Sequence, residues 1–318
     1  MVISISALIF GIIILVWGAD RFIENSSIVA KKLGISELII GLTLVAFGTS
    51  APEIFVGISG IFYDNPEIAT GTVIGSNISN IALIFGIACF SFISRTNVSL
   101  VSLAPFLLSV ILLGITLQDG LISHLESGLF ILVLLIFLMT LMKSNDVNTN
   151  QTSVDSSSLT KTIVMLLVGL TALIIGSNLA VTYGVAIAEI LQVPEIIIGL
   201  TVLALGTSLP ELAASISALF KKKNQMIIGN IIGSNIMNLV FVIPIVGFFS
   251  NINLFEDDLN HTIINRDYLF VAVLSLVFMI VILIFRMPNF YKPLAKIFGL
   301  FFVLSYFIYI GVISGLLF

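Results

Sequence analysis

The run Gly41–Ile58, GLTLVAFGTSAPEIFVGI, is apolar apart from its hydroxyls and one carboxylate, Glu53. A second copy stands at Gly199–Ile216, GLTVLALGTSLPELAASI, with Glu211 in the matching place. Ten of the eighteen paired positions are identical. A charge deep in a bilayer costs at least ~2.5–3.5 kcal/mol on insertion scales, so an acid inside an apolar span marks a functional site. Each acid is preceded by hydroxyls and followed, one span later, by amides. That donor set points to a cation.

The rest of the chain fits a membrane setting. Of 318 residues, 58% are hydrophobic and only 9% are charged, which reads as an all-α polytopic membrane protein. The few basic residues are scattered, so nucleic-acid binding has no support, and no obligate protein partner is evident. The single cysteine, Cys89, excludes an intrachain disulfide. The first apolar run, Val2–Trp17, has no basic segment before it and no cleavage site after it, which predicts a retained helix.

Runs long enough to cross a bilayer need about 20 residues. Ten are counted, near 2–23, 37–62, 69–93, 98–117, 121–142, 161–186, 195–220, 226–250, 268–286 and 293–317. The polar stretch 143–160 separates five runs from five, giving repeats over 1–142 and 161–318. The halves align at an offset of 158: Gly18 with Gly176, Glu37 with Glu195, Gly48 with Gly206, Gly75-Ser76-Asn77 with Gly233-Ser234-Asn235, and Asn80 with Asn238. An odd number of spans per half makes the second copy enter from the opposite face. The prediction is ten transmembrane helices as two inverted five-helix repeats, a transporter architecture with its site near the midplane.

Charge placement tests that count. On a ten-span path, twelve of the thirteen Lys and Arg flank one side, and Arg266 alone lies on the other with the acids Asp64, Glu67, Asp119, Glu126, Glu189, Glu256, Asp257, Asp258 and Asp267. The positive-inside rule then places both termini outside a cell membrane and the linker 143–160 in the cytoplasm.

Around each acid the spacing is that of one helix face. Thr49 and Glu53 are i,i+4, and Ser50 and Glu53 are i,i+3. Pro52 cannot donate to the carbonyl of Gly48, so the backbone over Ala46–Thr49 is expected to be broken, with carbonyls turned into a cavity. The second copy repeats this with Ala204, Thr207, Ser208, Pro210 and Glu211. Ser76 and Asn80, and likewise Ser234 and Asn238, are i,i+4 on neighbouring spans. Asn77 and Asn235 read as residues that bond helices to one another. Asn80 and Asn238 stand between ion contact and a supporting role. All candidate ligands are oxygens, which suit calcium or sodium. Softer metals want His or Cys, and His124, His261 and Cys89 lie away from the motif. Two carboxylates are neutralised by one calcium, and two or three sodium ions could replace it.

The motifs GTSAPE with GSNISN and GTSLPE with GSNIMN resemble the alpha repeats of the cation/calcium exchanger superfamily, and the chain looks like a compact prokaryotic member. The resemblance covers both halves. It implies four ion sites in a diamond, one favoured by calcium and up to three taken by sodium. The implied ligands are Ala46, Thr49, Ser50, Glu53, Ser76 and Asn80, with Ala204, Thr207, Ser208, Glu211, Ser234 and Asn238. Calcium would take the Glu53 and Glu211 side chains with the Thr49 and Thr207 carbonyls. The first and sixth spans would slide past the rest, and no cofactor is implied beyond the transported calcium and sodium. Some archaeal and potassium-dependent members carry Asp at the position of Asn238; Asn here argues against potassium coupling. The linker is too short for the calcium-sensing domains of animal exchangers.

Four functions can be set against these residues. Sodium/calcium antiport accounts for the hydroxyl ligands. Proton/calcium antiport by the same fold would protonate Glu53 and Glu211 instead. An intramembrane protease needs aspartates around a water, and neither repeated core contains Asp. A channel fits poorly with inverted repeats and broken helices. The expectation is therefore an antiporter and not an enzyme.

Overall fold

The computed structural model describes residues 1–62, 66–91, 96, 98–118, 121–143, 158–192, 204–249, 258–287 and 291–314. Among these residues every regular element is helical. The first half holds α1 (Val2–Leu33), α2 (Glu37–Ile40), α3 (Ala46–Thr49), α4 (Ala51–Phe62), α5 (Pro66–Ile78), α6 (Gly86–Phe90), α7 (Leu100–Thr116) and α8 (His124–Lys143). The second holds α9 (Leu159–Ile190), α10 (Ala204–Thr207), α11 (Leu209–Phe220), α12 (Asn224–Met237), α13 (Ile243–Phe249), α14 (Asp258–Ile284) and α15 (Tyr291–Ile313). Three wide π turns, Gly41–Val45, Ser79–Phe85 and Asn238–Val242, join α2 to α3, α5 to α6 and α12 to α13.

Seven described helical stretches are long and apolar enough to cross a membrane: Val2–Leu33, Ala69–Phe90, His124–Met142, Leu159–Ile190, Asn224–Phe249, Arg266–Ile284 and Leu294–Ile313. Three shorter apolar stretches, Glu37–Thr49, Leu100–Thr116 and Leu209–Phe220, fall where three further spans are expected. Ala69–Phe90 and Asn224–Phe249 are enclosed by the others. The enclosing helices turn apolar side chains outward, as Ile9, Phe10, Ile13 and Trp17 do on α1. Lipid accepts such a face, so the polar groups collect on the two inner stretches.

The first helix outruns its expected end at residue 23 and continues to Leu33. Its charges ride on the helix past the apolar part, where Arg21 pairs with Glu24 at 3.3 Å. It stops at Gly34, whose φ of 67° is the left-handed conformation that glycine adopts without a Cβ clash. Ser36 then starts α2 by accepting the N–H of Ile39 at 3.2 Å. The linker over 144–157, the second copy's entry over 193–203 with Glu195, and the loop acids Asp64, Asp119, Glu256 and Asp257 lie outside the described residues.

α1 and α9 lie against each other along their length. A Cβ on Gly18 would stand 2.8 Å from the carbonyl oxygen of Gly169, and one on Gly176 would stand 2.8 Å from that of Gly11. Both contacts are too close for any side chain. The two pairs are the same pair moved by the offset of 158. Behind the inner stretches, Phe85 packs edge-on to Phe278 with ring centroids 4.7 Å apart and to Phe302 at 5.3 Å. This aromatic cluster holds the π turn 79–85, which carries Asn80, against α14 and α15.

Candidate cation site

The two GTS-PE segments fold alike. α3 ends at Ser50 (φ −82°, ψ 3°), and α4 restarts at Ala51. α10 gives way at Ser208 (φ −87°, ψ 6°), and α11 restarts at Leu209. The break is a one-residue hinge and narrower than an unwound loop. The carbonyl of Ala46, expected to be free, accepts the backbone N–H of Ser50 at 3.0 Å. Its second lone pair faces the hydroxyls of Thr49 at 3.3 Å and Ser234 at 3.5 Å. Glu53 and Glu211 sit in the first turns of the restarted helices, where the helix dipole favours negative charge.

Both acids are enclosed, with Glu53 0% and Glu211 1% exposed. Each is held from the other half or from a neighbouring inner stretch. Ser50 donates to Glu211 Oε1 at 3.0 Å, across 161 residues of sequence. The Ser76 hydroxyl bonds Glu53 Oε1 at 3.3 Å and lies 3.2 Å from Thr207 Oγ1. Thr49 Oγ1 lies 3.3 Å from Ser234 Oγ. Thr49–Ser234 and Thr207–Ser76 are one contact seen twice, related by the offset of 158.

Direct contacts join Ala46, Thr49, Ser50, Ser234 and Glu211 in one group and Glu53, Ser76 and Thr207 in another. Ala46, Thr49, Ser50, Glu53, Ser76, Asn80, Ser208, Glu211, Ser234 and Asn238 are all buried, and Thr207 is half-buried. Ala204 opens α10, one turn before Ser208. Glu53 Oε2, Glu211 Oε2, Asn80 Oδ1, Asn238 Oδ1 and Ser208 Oγ have no hydrogen-bond partner among the described residues. Burying a lone polar atom costs roughly 1–3 kcal/mol, more for a charged one, and a bound cation removes that cost. The donor set, with oxygens only and two carboxylates, fits a hard cation such as calcium or sodium.

The amides divide the work. Asn77 donates to the Asn235 carbonyl at 3.3 Å, and Asn238 donates to Asn77 Oδ1 at 3.2 Å. Asn235 turns back on its own helix, donating to Ile231 O at 2.6 Å. Asn77 and Asn238 thus tie the two inner stretches to each other, while the Asn235 side chain, expected to do so, bonds within its own helix and offers the other stretch only its backbone carbonyl.

Sequence reasoning missed Asn230. It is 1% exposed, and its Oδ1 lies 3.2 Å from Thr49 Oγ1 and 3.5 Å from Ser234 Oγ. The signal was present, since Asn230 precedes Ser234 by one helical turn. The repeat does not carry it, because the first half has Thr72 at that position. The three π turns were missed too: hydrophobic periodicity does not register one extra residue in a helical turn. Two of them carry or begin at Asn80 and Asn238, in keeping with the occurrence of π bulges at functional sites.

Helices enclosing a buried two-acid oxygen site define an ion-translocating membrane protein. The family model for sodium/calcium exchanger proteins matches residues 3–143 and 161–315, and the chain belongs to that family. It is a membrane antiporter of the sodium/calcium exchanger type and not an enzyme. The "Putative antiporter CaxA" of Alkalimonas amylolytica is 36% identical over 256 residues, covering 77% of this chain and 80% of that protein. The "Sodium/calcium exchanger MaX1" of Methanosarcina acetivorans is 29% identical over 299 residues, covering 80% and 85%. A solved structure of the sodium-calcium exchanger NCX_Mj superposes with a TM-score of 0.80 at 27% identity, covering 98% of each chain.

Proposed function

We propose that this chain exchanges sodium for calcium by alternating access, crossing the cell membrane ten times as two inverted repeats, 1–142 and 161–318. Both termini lie outside, and the linker 143–160 lies in the cytoplasm. The ligands are Glu53, Glu211, Thr49, Thr207, Ser50, Ser208, Ser76, Ser234, Asn80, Asn238 and the carbonyl groups of Ala46 and Ala204. One observation carries the reading: each buried acid is held by a serine one repeat or one span away, in an offset-related lattice of hydroxyls. Calcium bridging the two carboxylates cancels their charge. Sodium ions, each on one acid with its neighbouring hydroxyls, cancel it as well. The unloaded pair keeps two negative charges in a low-dielectric interior, so a loaded site reorients more readily.

The test is calcium flux in liposomes. Wild-type protein is expected to take up calcium against an imposed sodium gradient with the pH gradient collapsed. Glu53→Gln and Glu211→Gln are each expected to lose nearly all of it. Uptake that follows a proton gradient and ignores sodium would replace sodium with protons in this reading. Full activity in either variant would remove the two acids from the site.

A further inference from the structure

The lattice of hydroxyls repeats at the offset of 158, and Asn230 does not. Ala46 O, Thr49 Oγ1, Ser234 Oγ and Asn230 Oδ1 form a compact group. Thr49 Oγ1 is 3.3 Å from Ala46 O, 3.2 Å from Asn230 Oδ1 and 3.3 Å from Ser234 Oγ; Ser234 Oγ is 3.5 Å from both Ala46 O and Asn230 Oδ1. Oxygens 2.3–2.6 Å from a shared octahedral cation stand roughly 3.3–3.7 Å from each other along an edge. Five of the six pairs among these oxygens already stand about that far apart. Only two hydroxyl protons are available among them, so the group is rich in acceptor lone pairs. It is neutral, and the Glu211 carboxylate, which accepts from the neighbouring Ser50 at 3.0 Å, supplies one negative charge when ionised, which one monovalent ion balances.

The Asn230 amide is turned by its other end. Its Nδ2 faces Ser215 Oγ at 3.5 Å, which leaves Oδ1 toward the group. In the first half Thr72 and Gly57 occupy the corresponding positions, so that copy has neither the amide nor its support.

We infer that Asn230 is a further cation ligand, which makes the pocket of Ala46, Thr49, Ser50, Glu211 and Ser234 select a hard monovalent ion more tightly than its counterpart in the other repeat. Its use in transport rests on the exchange reading above; its ion binding is measured without transport.

The experiment is calorimetric titration of the purified full-length protein in detergent with sodium chloride and, separately, calcium chloride. Asn230→Ala is expected to weaken sodium binding at least tenfold and calcium binding less than threefold. Asn230→Asp keeps an oxygen and adds charge, and is expected to bind sodium at least as tightly as wild type. Ser215→Ala, which removes the partner that orients the amide, is expected to weaken sodium binding in the same direction but less than Asn230→Ala, and Thr72→Ala to stay within threefold for both ions. Sodium affinity within twofold of wild type in Asn230→Ala would overturn the inference. So would equal weakening of sodium and calcium binding in Asn230→Ala, which marks a packing role. A wild type that binds neither ion would overturn the exchange reading itself, and this inference with it.

Discussion

The Ser50 hydroxyl, from the first half of the chain, donates to the Glu211 carboxylate of the second at 3.0 Å. Its offset mate, Ser208, has no hydrogen-bond partner among the described residues. The lattice is therefore two-fold in plan but unequal in detail. A hydrogen bond to a charged group contributes about 1.5–3 kcal/mol, or roughly ten- to hundredfold in an equilibrium constant. Ser50→Ala is expected to weaken calcium binding by about that factor, and Ser208→Ala by less. Calcium titration of the two variants side by side checks the order; the reverse order refutes it.

Asn77 and Asn80 sit three residues apart and do different things. Asn77 bonds across to the second half, while neither side-chain polar atom of Asn80 has a partner among the described residues. Hydrogen bonds between membrane helices contribute about 0.6 kcal/mol on average, up to about 1.7. Asn77→Ala should lower the unfolding temperature and leave the calcium dependence of flux within a few-fold. Asn80→Ala should leave the unfolding temperature alone and abolish most flux. Thermal unfolding and flux on the same preparations separate the two roles.

The crossing of α1 and α9 admits no side chain at Gly18 or Gly176. Alanine there must push two helix backbones apart, an overpacking cost of roughly 1–3 kcal/mol per site. Gly18→Ala and Gly176→Ala are each expected to be destabilised and slowed in flux. Gly71→Ala, where a Cβ meets nothing within 4 Å, is the control expected to behave as wild type. Equal stability of all three in detergent would show that the crossing is loose.

α1 is also pinned electrostatically on the predicted cytoplasmic side. Lys221, just past α11, pairs with Asp20 at 2.7 Å and with Glu24 at 3.8 Å on α1. Lys223 pairs with Glu37 at the start of α2. At the offset positions of Asp20, Glu24 and Lys221 stand Asn178, Thr182 and Tyr63, which cannot form the same pairs. Partly exposed pairs contribute about 0.2–1 kcal/mol, at most roughly fivefold in the balance between two helix positions. Lys221→Asp is expected to change the half-saturating calcium concentration two- to fivefold on one membrane face, and Asp20→Lys combined with it to restore the wild-type value. Flux measured from each face at low and high salt checks this, since salt should erase the difference.

The sequence alone was sufficient for the class of molecule, because its strongest signals are local. An acid inside an apolar span is costly wherever the chain goes, and its recurrence 158 residues later made chance placement untenable. The ligand types followed from i,i+3 and i,i+4 spacing, which holds for any helix. What the tertiary structure alone decided is who faces whom: Ser50 with Glu211, Ser76 with Thr207, and Asn230 with Thr49. Those partners are more than a hundred residues apart, and spacing along one helix carries no information about a neighbour. The structure also reduced the expected unwound segment to hinges at Ser50 and Ser208 and added π turns at Asn80 and Asn238. Both adjust the backbone by a residue or less, while the apolar pattern in sequence fixes only which side of a helix is buried.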